Sequence, residues 1–286
     1  MRWSGRARSR LGLLMAFLPF FVFCAMFELI PIVALSIGSV SDKRGFTLEY
    51  LANVFTKQTF AQSILNTVFI SVVSAVLGAV IGTALGYAIT RTRRTRVRRA
   101  LFTLATISAN AGGISLGFAF ITVLGAAGLI TILVRQFGID LLDYFSIYSV
   151  VGLVVVYLYF QVPLMVVLML PAFGALKREW GEASASLGGD SRDYWRRIGL
   201  PVLMPSIVAG TVLLFVSSMG AYATAVALVG SRVNLMTVQI SILRRGEVIF
   251  APSQADAMGL VLLSSVAISV GAYHLIQRRA QRWVQG

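Results

Sequence analysis

Apolar residues run through this chain in stretches too long for a water-soluble fold to bury. Six of them lie near 12–38, 62–89, 101–133, 147–170, 203–229 and 256–277. A helix crossing the hydrocarbon of a bilayer needs about 20 mostly apolar residues. Inside that hydrocarbon every backbone polar group must be satisfied within the segment, which selects helices. The expected fold is therefore all-α, a polytopic transmembrane helical bundle of about six spans occupying 12–277. The composition agrees. Of 286 residues, 57% are hydrophobic and 13% charged, against about 25% charged in an ordinary soluble domain. The third stretch is too long for one straight span and carries Gly112, Gly113, Gly117, Gly125 and Gly128. A helix followed by a re-entrant or surface segment is expected there.

The ends of the spans are marked by charge. Arg2, Arg6, Arg8 and Arg10 precede the run Leu11 to Val40. A secretory signal has an apolar region of only about 7–15 residues; this run has 30, so it reads as an uncleaved first span behind a basic segment, 1–11. Six arginines fill RTRRTRVRR (91–99), five Lys or Arg lie in 171–201, and three lie in the basic tail 278–286. That side of the membrane holds eighteen basic residues and the other seven. Positive residues favour the cytoplasm, so both termini and 171–201 are expected there, in a bacterial inner membrane. The net charge of +14 is then a topology signal with some attraction to anionic lipid. A nucleic-acid partner would need those charges on one folded face and is not expected. Cys24 is the only cysteine, so neither an internal disulfide nor a Cys-based metal site is expected.

The most specific motif lies between the fourth and fifth stretches. Residues 182–201 read EASASLGGDSRDYWRRIGLP. Residues up to Leu187 suit a short amphipathic helix, which Gly188 and Gly189 end because glycine tolerates a left-handed or tight backbone. Asp190 and Ser191 can cap a following turn. Pro201 and Pro205 sit near the start of the fifth span, where a missing N–H costs little. The joint spacing of Glu182, Ala183, Ser184, Gly188, Ile198, Leu200 and Pro201 resembles the cytoplasmic EAA loop of ABC importer permeases of the binding-protein-dependent type (type I, MetI-like fold). Serine at 184 stands where that family usually has a second alanine; both are small.

The resemblance implies a permease subunit that does no ATP chemistry. Its EAA loop would grip an ABC ATPase subunit. A second permease subunit, more often a different one than an identical copy, would complete the path, and an extracytoplasmic solute-binding protein would deliver solute. No cofactor and no metal is implied. The segment LLFVSSMGAYATAVALVGS (213–231) resembles the pathway-lining helix of the spermidine/putrescine permease group, and FTLEYLANVF (46–55) an outer-loop segment of the same group. Both point to a polyamine-type or other small charged solute. Sulfate, molybdate and ferric-iron permeases often carry an acidic residue after the glycine, where this chain has Ala221; ferric iron, phosphonate or another anion remains the alternative.

Candidate path residues follow from polarity in apolar surroundings. Ser217, Ser218, Tyr222 and Thr224 place hydroxyls in the fifth stretch, and Asn110 places an amide in the third. Each either lines the path or bonds a neighbouring helix. Glu28 is the one carboxylate deep in a span, a costly placement: it pairs with a basic residue, meets solute or reaches the interface. Gly78, Gly82 and Gly86, and Gly113 with Gly117, allow close helix approach, within this bundle or between permeases. His274 suits the interface. No phosphate-binding G-x-x-x-x-G-K-[ST] loop, HExxH or G-x-S-x-G occurs, so no enzyme is expected. An ion-coupled secondary transporter would favour more intramembrane ionisable residues and repeated halves.

Overall fold

A computed structural model describes residues 17–42, 45–246 and 250–284. The expected basic segment 1–11 lies outside them. Six helical stretches among the described residues are long and apolar enough to cross a membrane: Phe17–Val40, Gln58–Arg91, Ile114–Arg135, Val150–Gly174, Ser191–Met219 and Pro252–Leu275. Two compact units are distinguishable. One comprises the described residues of Met1–Phe60 with Ile240–Leu263; the other comprises Ala61–Gln239 with Ser264–Gly286.

The first unit starts with α1 (Phe17–Val40), widened to a π-helical turn at Ala25–Leu29 just before Pro31. Proline lacks the N–H that a regular turn would use, and a widened turn relieves its clash with the preceding carbonyl. Strands β1 (Ser41–Asp42) and β2 (Gly45–Phe46) pair antiparallel, and α2 (Glu49–Thr56) follows. Gln254 Nε2 donates to the Tyr50 carbonyl at 3.0 Å. Arg244 forms an ion pair with the largely buried Asp256.

The second unit is built on three long helices, α3 (Gln58–Arg91), α8 (Val150–Gly174) and α11 (Leu200–Met219). A Cβ on Gly78 would meet Gln161, one on Gly82 would meet Met165, and one on Gly86 would meet Phe173. The rising order on both helices makes α3 and α8 parallel, so Arg91 and Gly174 end at the same face. Helix α11 runs back: Leu203 and Leu214 join Ala75, Ala79, Met165, Met169 and Phe173 in one buried cluster. The glycine stripe of α3 therefore serves packing within the chain.

The third stretch is not one helix. It divides into α4 (Thr95–Ala109), α5 (Ile114–Leu124) and α6 (Leu129–Arg135). The first break falls at Asn110–Gly113, where Gly113 has φ +89°, a backbone that favours glycine. The expected fifth span 203–229 is also two helices, α11 and α12 (Tyr222–Val229). Between them Ala221 has φ −76° and ψ 58°, and Tyr222 N donates to the Gly220 carbonyl at 2.8 Å. This is an inverse γ-turn, which an apolar sequence with one glycine does not announce. Short α7 (Leu141–Tyr144) precedes α8. Helices α13 (Met236–Arg245) and α14 (Pro252–Val284) complete the chain. Because α14 is helical to Val284, the expected tail from 278 continues the last helix.

Candidate functional site

Between α8 and α11 the chain forms α9 (Arg178–Ser186), then α10 (Ser191–Tyr194) and a π-helical turn at Trp195–Gly199 that leads directly into α11. Helix α9 ends in a Schellman turn. Gly189 N donates to the Ser184 carbonyl at 2.9 Å and Gly188 N to the Ala185 carbonyl at 3.0 Å. Gly188 has φ +80°, the left-handed conformation such a cap requires. Gly189 has its own reason to lack a side chain: a Cβ there would lie 2.8 Å from Ser184 Oγ. Asp190 caps α10, its Oδ1 accepting from Asp193 N at 2.7 Å. The π-helical turn places its wide spacing just ahead of Pro201, whose ring would otherwise press on the carbonyl of Arg197.

Aromatic packing fastens this segment to the ends of the spans. The Trp195 ring stands edge-on to Tyr87 of α3 at 4.9 Å, and Tyr87 lies 5.8 Å from Phe173 of α8. Gly199 is buried, and a Cβ on it would sit 2.6 Å from the Trp195 ring. By contrast, α9 has no buried residue, and Leu187 is 89% exposed.

The structure gathers four of the motif residues in one place. Ala183, Ser184, Gly188 and Ile198 line a groove of about 590 Å³ with Trp180, Leu187 and Val202. Glu182 lines a neighbouring groove of about 620 Å³, with Tyr87, Asp190 and Trp195. Its Oε1 accepts from Arg178 Nε at 2.9 Å, one turn earlier. Leu200 and Pro201 are exposed and line neither groove; their place is structural, at the start of α11.

The candidate path residues separate into kinds. Thr224 is buried, and its Oγ1 accepts from Gly113 N at 2.9 Å and donates to the Gly113 carbonyl at 3.1 Å. It thus ties the break between α4 and α5 to the first turn of α12. Ser218 is buried and lies 3.2 Å, Oγ to Oγ, from Ser74. Gln161, wholly buried, donates from Nε2 to Ser74 Oγ at 3.1 Å. The hollow beside Ser218, Ser71 and Tyr157 measures about 10 Å³, room for roughly one water. In this conformation Ser218 stitches helices and does not line a solute-sized channel. Asn110 is exposed at the end of α4, its amide returning to the Thr106 carbonyl at 2.9 Å. Ser217 and Tyr222 are half-buried beside the second break. Glu28 belongs to the other unit, exposed within the π-helical turn of α1.

Relatives are found over most of this architecture. Over 191 residues the chain is 29% identical to the Molybdenum transport system permease protein ModB of Mycobacterium tuberculosis, covering 65% of this chain and 68% of that one. It is 26% identical to the Sulfate transport system permease protein CysT of Salmonella typhimurium, covering 49% and 50%. It is 27% identical to the Thiamine transport system permease protein ThiP of Brucella suis, covering 42% and 22%. The fold matches a chain of the bacterial alginate ABC transporter crystallised with its alginate-bound periplasmic protein, with a TM-score of 0.80 at 16% identity over 98% of both chains. No family model matches the chain.

The chain is similar to permease subunits of transport systems, and its fold matches that of an ABC transporter chain. Its six long apolar helices suit a multi-pass membrane protein, as those relatives' names as transport permeases would require. Sequence reasoning missed several residues that build this site. Trp195 and Tyr87 carry the clamp under the 182–201 loop; their signal was aromatic residues at the ends of apolar runs, where amphipathic rings prefer to sit. Gln161 and Ser74 form the buried polar core of α3, α8 and α11. Gln161 was visible as an amide inside an apolar run. Asp256, the first residue of the sixth apolar stretch, has a side chain only 14% exposed and is paired with Arg244.

Proposed function

We propose that this permease subunit docks a separate ATP-hydrolysing subunit through Arg178–Pro201 and, with a second and different permease, forms the path for a small anion. An extracytoplasmic binding protein supplies the solute, and both termini and the docking segment lie on the cytoplasmic side. The observation that carries the reading is the exposed α9 and its left-handed Gly188 cap, held on the span ends by Trp195 against Tyr87. A rigid, solvent-facing element joined to two spans passes a partner's closing motion to the bundle. A floppy loop would absorb it.

Chemistry favours an anion over the polyamine that the 213–231 segment suggests. A polycation needs carboxylates along its path. Among the described residues, the acids inside the spans are Glu28, exposed on α1, Asp193, in the proposed docking segment and facing Arg197, and Asp256, already paired with Arg244. The two helix breaks, by contrast, meet through Thr224 and Gly113, and α5 and α12 both begin there. Their N-terminal ends present partial positive charge, which suits an anion. The ModB and CysT relatives are named for molybdenum and sulfate, in keeping with an oxyanion. Calorimetry on the cognate binding protein separates these solutes: molybdate or sulfate should bind and spermidine should not. Tight spermidine binding alone would restore the polyamine reading. Docking is tested separately, by co-purification of the ATPase with the wild-type chain and its loss with Gly188→Val.

A further inference from the structure

The arginines at 91–99 are not absorbed by docking or by the path. No Asp or Glu occurs between Glu49 and Asp140. Elsewhere Arg135, Arg178, Arg197 and Arg244 each face a carboxylate, at Asp140, Glu182, Asp193 and Asp256. Among the described residues Arg98 and Arg99 have no ion pair, and both are exposed. They lie in the second turn of α4, about 5 Å along the helix from its start at Thr95, beside the ends of α3 and α8 at the membrane face. Helix α4 runs back along α8 from there, Phe102 lining a groove with Leu170 and Ala105 packing with Val166, so both guanidinium groups lie at the end of the bundle where α3 and α8 stop.

Beneath them is a groove of about 340 Å³ between α3, α4 and α8, lined by Ile89, Thr95, Arg98, Arg99, Phe102 and Leu170. A second, largely apolar hollow of about 290 Å³ shares Ile89 and is lined by Leu101, Val162 and Pro163 among others. One end of this surface is doubly cationic and the other is hydrocarbon. We propose that it holds an anionic phospholipid, its phosphate on Arg98 and Arg99 and an acyl chain along Ile89, Phe102 and Leu170. Guanidinium groups bind phosphate through paired N–H donors, and basic pockets between membrane helices suit anionic head groups. A free phosphate would leave the apolar floor uncovered, and a zwitterionic lipid would leave part of the positive charge unmatched.

The test uses the whole transporter purified in mild detergent and mixed with equal phosphatidylglycerol and phosphatidylcholine of identical chains, read by native mass spectrometry. The wild type should retain phosphatidylglycerol at least several-fold over phosphatidylcholine. Arg98→Gln with Arg99→Gln should abolish that preference, and Leu170→Trp, which fills the groove, should lower retention with the arginines intact. In the unmutated complex, a photoreactive phosphatidylglycerol should crosslink to peptides spanning 89–102 or 162–170. Equal retention of the two lipids, or crosslinks confined elsewhere, overturns the proposal. So does a double variant that keeps its phosphatidylglycerol but sheds a partner subunit, since the groove would then be a protein interface.

Discussion

In the proposed docking segment Gly188 sets the backbone more than any charged residue does. At φ +80° an L side chain costs about 1–2 kcal/mol, and a β-branched one more. Gly188→Val should insert into the membrane at wild-type levels, because the Schellman turn lies outside the bundle. Solute-stimulated ATPase activity should fall at least tenfold in proteoliposomes; full activity would mean that the turn is not the coupling element. Glu182→Gln should do much less, because its visible partner is one exposed arginine on its own helix, and such pairs contribute about 0.3–0.5 kcal/mol. Thr224 is a different case. Thr224→Val keeps the shape but leaves the part-buried N–H of Gly113 without its acceptor, a loss of about 0.5–1.5 kcal/mol. The expected result is a lower melting temperature in detergent. An unchanged melting temperature would show that the two breaks are not held together by this hydroxyl.

Among the elements, α3 shows what close approach costs. A Cβ at Gly82 would lie 2.5 Å from Met165 Cβ and 2.7 Å from the Val162 carbonyl. Neither atom is the end of a flexible side chain, so α3 and α8 must part. Gly82→Val should therefore destabilise by more than the usual 1–3 kcal/mol of overpacking, seen as loss of the monodisperse complex in size-exclusion chromatography. Gly112→Ala, with nothing near its Cβ, is the matched control and should elute as wild type. The spacing of Gly78, Gly82 and Gly86 was legible as a close-packing face, but its partner was not. A small-residue stripe fits any helix offering a complementary surface, and only the register with Gln161, Met165 and Phe173 singles out α8. Element ends were legible where glycine and an Asp cap punctuate polar sequence, as at Gly188 and Asp190. They were less legible inside apolar sequence, where the glycines of 101–133 announced a break without its place and 203–229 read as one helix. Hydropathy reports solvent preference and is blind to a break satisfied by Thr224 or by a single γ-turn.

For the molecule as a whole, the prediction concerns sidedness. With Cys24 replaced by serine, Ala183→Cys should react with a membrane-impermeant maleimide in inside-out vesicles and not in intact spheroplasts. Labelling in spheroplasts would invert the topology and remove the docking role with it. The all-helical membrane class, the approximate number of spans and the EAA-like spacing of 182–201 were legible in the sequence, since each depends on local composition or on residues within about 20 positions of one another. Which residues of that loop share a groove, what clamps it to the spans, and whether Ser218 and Thr224 face a path or a neighbour were decided by tertiary structure. Those answers rest on pairs such as Trp195 with Tyr87, Ser218 with Ser74, and Thr224 with Gly113, each more than 100 residues apart. A hydroxyl or an aromatic ring carries no mark in the chain of the partner it will meet; the packing of the helices chooses it.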